Sequence, residues 1–114
     1  MLIDIILKEL FEHFDINAFV HVEINAIPDE EWGHDLAEAY CGCEDDGEYL
    51  IEYKASLIED ANAFLSMICH ECVHIAQDLA GVHMDYSLPY NEQPHEIEAY
   101  DMQEWLVMHL AIKP

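Results

Sequence analysis

An α+β fold is predicted by three features of this sequence. Apolar residues recur at helical spacing at the start and through the last half of the chain. Runs rich in β-branched and aromatic residues fill the stretch between, and an Asp-Gly step joins two of them. The chain has 114 residues, enough for one domain with one core and too few for two. We therefore expect a single domain over 1–114, with an N-terminal helix, a three-stranded, mainly antiparallel sheet, and two closing helices.

Leu2, Ile5, Ile6, Leu10 and Phe14 repeat at helical spacing and predict a helix over 2–14. Phe19 to Ile24 alternates apolar and polar residues and reads as a strand. Pro28 to Gly33 is a loop or short helical turn. Leu36–Glu44 and Glu48–Leu57 flank Asp45-Asp46-Gly47, a hairpin signal, and the second run, if it is the sheet edge, would hold an extended peptide by main-chain pairing. The next helix runs through Asn62–Ala80. Glu59 or Asp60 opens it, since acids suit the positive helix end, and it stops near Gly81. Residues 82–94, with Pro89 and Pro94, form a loop. His95 or Glu96 then begins a final helix that reaches about Leu110.

Composition excludes several functions. At 53% hydrophobic the chain is too apolar for a disordered acidic tail, despite a formal net charge of -22. Its only basic residues are Lys8, Lys54 and Lys113, with no Arg, against 25 acids. That argues against nucleic-acid binding and against anionic membrane surfaces, both of which need clustered cations. No segment has the roughly 18 consecutive apolar residues of a membrane span. Met1 to Lys8 carries an acid inside its apolar run and no basic leader, so the protein is expected to be cytoplasmic. Cys41, Cys43, Cys69 and Cys72 are then expected as reduced thiols. A four-thiolate zinc site is the rival reading. It suffers because Cys69 and Cys72 bracket His70 and Glu71 on a helix face displaced from the histidines.

His70-Glu71-Cys72-Val73-His74 reads HExxH within the long helix. Residues four apart share a helix face, so both imidazoles can reach one ion, and Glu71 lies beside them to act on a water. A catalytic zinc takes a third protein ligand. Glu92, Glu96, Glu98 and Asp101 are the acids downstream. Glu96 shares its face with Ala99, Tyr100, Gln103, Leu106, Val107 and Leu110, mostly apolar and inward. The Glu98 face, with Asp101, Met102, Trp105 and His109, is wetter. A buried acid needs a partner and a metal is one, so Glu96 is favoured over Glu98. His83, Tyr86 and Tyr90 lie in the loop between the helices. They either cap and pack that loop or donate a hydrogen bond to an oxyanion. His13, His21, His34 and His109 show no ligand spacing and read as structural. His95 reads as a helix-start residue.

With these motifs the chain resembles the gluzincin zinc metallopeptidases, particularly the single-domain minigluzincins. Residues 70–74 and Glu96-Ile97-Glu98-Ala99 carry the resemblance, with a strand and hairpin before the motif helix. It implies a zincin-like fold with zinc held by His70, His74 and Glu96, and Glu71 as general base. The family commonly has Asp where this chain has Tyr100, and that Asp orients a bound imidazole. Asp101 or Glu98 could take over, or Tyr100 could bond to Glu96.

The expected function is a zinc metallopeptidase in which Glu71 deprotonates a zinc-activated water that attacks the peptide carbonyl. Its partner would be a peptide or protein substrate, basic or unfolded. Two alternatives stand beside it. One is a non-catalytic zinc-binding relative acting as a binding module. The other is an acidic nucleic-acid mimic, which gives no reason for HExxH.

Overall fold

Two glycines turn the chain where regular structure must stop. Gly47 (φ +73°) sits in the turn between the hairpin strands, and Gly81 (φ +76°) ends the long helix. Both lie in the left-handed region that side chains with a Cβ resist. The computed structural model describes residues 2–33 and 37–112, so His34 and Leu36 fall outside the described residues.

Helix α1 spans Leu2–Phe14, and strand β1 spans His21–Ile27. Strand β2 (Ala39–Asp45) and strand β3 (Glu48–Lys54) form the hairpin. Helix α2 follows over Ala61–Ala80 and helix α3 over Pro94–Ile112. Short 3-10 turns at Asp29–Glu31, Ala55–Glu59 and Tyr90–Glu92 link them. Asp60 caps α2, its side chain accepting from the Ala63 amide at 3.1 Å. This satisfies one of the amides a helix start leaves without a partner. Pro94 opens α3, where its fixed φ suits the first turn and its missing N–H costs nothing.

The fold is α+β, but the sheet is mixed rather than mainly antiparallel. Its strand order is β1-β3-β2, with β1 parallel and β2 antiparallel to β3. The Glu48–Leu57 run does not meet the edge condition for peptide pairing: β3 is the central strand and ends at Lys54. Side chains alternate with the same period in parallel and antiparallel ladders, so residue pattern cannot fix direction. Here β2 takes the far edge, and its hairpin returns β3 beside β1.

Register assigns the two faces. Val22, Ile24 and Ala26 align with Tyr49, Ile51 and Tyr53, which align in turn with Cys43, Cys41 and Ala39. This face looks toward α2, where the ring of Tyr53 meets Phe64 edge-on and Tyr49 bonds to Asp78. The opposite face carries Glu23, Asn25, Glu48, Glu52 and Lys54. Helix α2 is the central element, packing on α1, α3, β2 and β3. Ile6 and Leu10 of α1, Ile51 of β3, Ile68 and Ile75 of α2, and Leu106 of α3 are fully buried together. Each such side chain contributes about 1.5–3 kcal/mol through removal from water. Among the described residues, no helix is long and apolar enough to cross a membrane.

Candidate metal centre

One face of α2 looks toward α3, and there the two motif imidazoles converge on a single carboxylate. Glu96 Oε1 lies 3.0 Å from Nε2 of His70 and 3.1 Å from Nε2 of His74. The three donor atoms lie within 4.8 Å of one another. Four-residue spacing stacks the histidines, whose rings meet edge-on at 4.8 Å. Glu96 enters from the first turn of α3, just after Pro94. Ala99, fully buried one turn later, lets the helices approach closely.

The far nitrogens of both rings are held by amides. Gln103 Oε1 is 3.0 Å from His70 Nδ1, and Gln77 Oε1 is 2.8 Å from His74 Nδ1. Gln77 Nε2 already donates to the His95 carbonyl and to Glu98 Oε1, both at 2.8 Å. Its Oε1 must therefore accept, which puts the proton on Nδ1 of His74 and turns the Nε2 lone pair toward Glu96. An amide oxygen beside His70 Nδ1 has the same effect. Acceptors facing acceptors around one point need a cation between them. A proton or a metal ion meets that need, and two imidazoles with a carboxylate form a donor set that suits zinc.

The charges agree with this picture. Burial by itself would raise the Glu96 carboxyl, but hydrogen bonds from His70 and His74 overcome it and hold the group well below the usual carboxylate range. Burial would lower His74, yet its bonds to Glu96 and Gln77, with the charges of Glu96 and Glu71, leave it raised. Glu71 is buried on the turn between the two histidines. Its charge is felt by His74 and by the thiols of Cys41 and Cys72.

The loop residues separate. The Tyr90 hydroxyl lies 3.3 Å from Glu96 Oε1 and 3.0 Å from the Tyr100 hydroxyl, so this phenol does stand at the cluster. Burial, the Tyr100 bond and the Glu96 charge push its pKa up and keep its proton in place. Tyr100 bonds to Tyr90 rather than Glu96, and its ring lies 4.4 Å from that of His70. Tyr86 stands apart, edge-on to His95 at 5.2 Å with its hydroxyl on Met84. His83 is exposed and outside the cluster. Glu98 reaches the site only through Gln77.

His95 departs from a simple helix-start role. Its side chain is 1% exposed, and neither ring nitrogen has a hydrogen-bond partner among the described residues. Its Nε2 lies 3.7 Å from the second Glu96 oxygen, Oε2. Gln77 and Gln103 are the residues of the candidate site that motif reading passed over. A signal existed: Gln77 follows His74 by three, and Gln103 follows Glu96 by seven, each on the ligand face.

The four cysteines are free. Burial pushes the thiols of Cys69 and Cys41 up to about 12, with Glu71 adding to the second, and holds Cys72 well above the ordinary thiol value. Among the described residues, only His70, His74 and Glu96 form a group able to share an ion, so the four-thiolate site is not assembled. No family model matches the chain, and neither a curated protein nor a solved structure does.

Proposed function

We propose that the protein is a zinc-dependent metallopeptidase with a zincin-like, minigluzincin-type domain. The observation that carries this reading is the convergence of His70 Nε2, His74 Nε2 and Glu96 Oε1, with Glu71 buried on the same helix turn. Zinc, when bound there, would supply the Lewis acidity that polarises a peptide carbonyl and acidifies water. Glu71 takes a proton from the attacking water and delivers it to the leaving amine as the C–N bond breaks. Gln77 and Gln103 hold the imidazoles with Nε2 presented, the task that the Asp absent at position 100 performs in the resembling family. Tyr90, kept protonated, donates its O–H to the carbonyl oxygen as charge develops on it.

Substrate binding follows from the corrected sheet. Strand β2, not β3, is the edge beside α2, and among the described residues it pairs with only one neighbour. An extended peptide can add to its free side by main-chain hydrogen bonds. With 25 acids against three lysines, the surrounding potential favours basic, unfolded peptides.

The test has two stages. Protein purified without a metal-affinity tag is analysed for metal after zinc reconstitution, with one zinc per chain expected. Wild type and Glu71→Gln are then compared on a charge-varied library of unfolded peptides. The variant should keep its zinc and lose about a hundred- to ten-thousandfold in rate. Equal cleavage would remove Glu71 as the base, and absence of zinc would remove the peptidase reading. Bound zinc without any cleavage would favour the non-catalytic relative.

A further inference from the structure

A second concavity lies away from the histidines, between α1 and β1. It has a volume of about 850 Å³, within the range of ligand-binding clefts. Ile3, Leu7 and Phe11 of α1 form one wall, and Val20, Val22 and Ile24 form the other. Phe64 and Ile68 of α2 close the floor. Helix α1 packs on α2 while β1 hangs from β3, so the inner face of β1 is left partly open. Ile24 is 36% exposed although its register points it to the inner face, and Phe19 beside the groove is fully exposed. None of the lining residues is His70, His74, Glu96 or Glu71.

Two further properties define what fits. Among the described residues strand β1 is an end strand, paired with β3 alone, so its other side offers main-chain donors and acceptors along the strand. An unpaired edge of this kind is a template for another strand. The rim is acidic: Asp4, Glu12 and Asp15 line it with a single Lys8. A second copy of this chain, at a net charge of -22, would bring the same sign to that rim. We propose that this groove binds an extended segment of a partner protein in which apolar and basic residues alternate. The segment adds to β1 as a fourth strand. Its apolar side chains enter the groove between Val22, Ile24 and Phe11, and its Lys or Arg side chains, on the opposite face, meet Glu23.

The proposal is independent of the metal centre and is tested by binding alone. The probe is a fluorescent eight-residue peptide alternating valine and lysine, titrated into zinc-loaded Glu71→Gln protein so that no turnover intervenes. Saturable binding is expected. It should weaken at least tenfold with a valine–glutamate peptide, with a peptide N-methylated at alternate residues, and in Ile24→Asp. Ile24 is partly exposed, and circular dichroism with zinc content checks that this variant folds. The exposed variant Glu23→Lys should reverse the preference toward the valine–glutamate peptide. Equal binding of the N-methylated peptide would overturn strand addition, and equal binding by Ile24→Asp would move the peptide elsewhere. A wild-type dimer that Ile24→Asp converts to monomer would assign the groove to a second copy and overturn the proposal.

Discussion

Gln77 ties His74 to the helix that carries Glu96. Its Oε1 accepts from His74 Nδ1, while its Nε2 donates to the His95 carbonyl and to Glu98, all at 2.8 Å. One amide thereby sets the tautomer of an imidazole on α2 and its distance from α3. Gln77 is fully buried, so water does not substitute for it.

Removing these amides should therefore loosen the metal. Gln77→Leu and Gln103→Leu keep side-chain bulk but lose the Oε1 acceptor, and each should weaken zinc binding by about ten- to a hundredfold. Competition with a chromophoric chelator measures this. Unchanged affinity in both variants would mean that the rings are held by packing alone.

The two glutamates of α3 should differ sharply. Glu96→Gln removes a converging oxygen's charge and should cost at least about a hundredfold in zinc affinity, whereas Glu98→Gln, acting through Gln77, should cost less. The reverse ranking would transfer the ligand role to Glu98.

Acid and base limits follow from the shifts. Glu96 is depressed below its ordinary 4.5, so its contribution to stability is present above that value and is lost as pH falls through the depressed one. His74 is raised above 6.5, so its contribution is full below 6.5 and fades as pH rises through the raised value. The metal-free protein should thus gain most from this pair between pH 4.5 and 6.5. Zinc needs the unprotonated imidazole, so its affinity should rise with pH across the same titration. Thermal unfolding without metal and zinc titrations at several pH values check both halves. A flat affinity profile would contradict the second.

Thiol reactivity should be graded by burial. Cys43 is exposed and should react first in the native protein, while Cys69 and Cys72 are buried with raised pKa values and should react only on unfolding. All four should react after unfolding without prior reduction. A count of zero by mass spectrometry would mean two disulfides.

The sequence by itself determined the elements and the chemistry that is local along a helix. Spacing of Leu2 to Phe14 marks α1, Asp60 and Gly81 bound α2, and Asp46-Gly47 places the hairpin turn. His70 and His74 share a face because a helix repeats every 3.6 residues, and the apolar company of Glu96 points it inward. Tertiary structure decided what depends on contacts between distant segments. Only docking of α3 on α2 brings Gln103 to His70 and selects Tyr90 over Tyr86 and His83. Strand direction was likewise beyond the pattern, since β1 alternates identically whether its neighbour runs with it or against it. The chain crossing that puts β3 in the centre settles it, and the same crossing leaves the inner face of β1 open above α1.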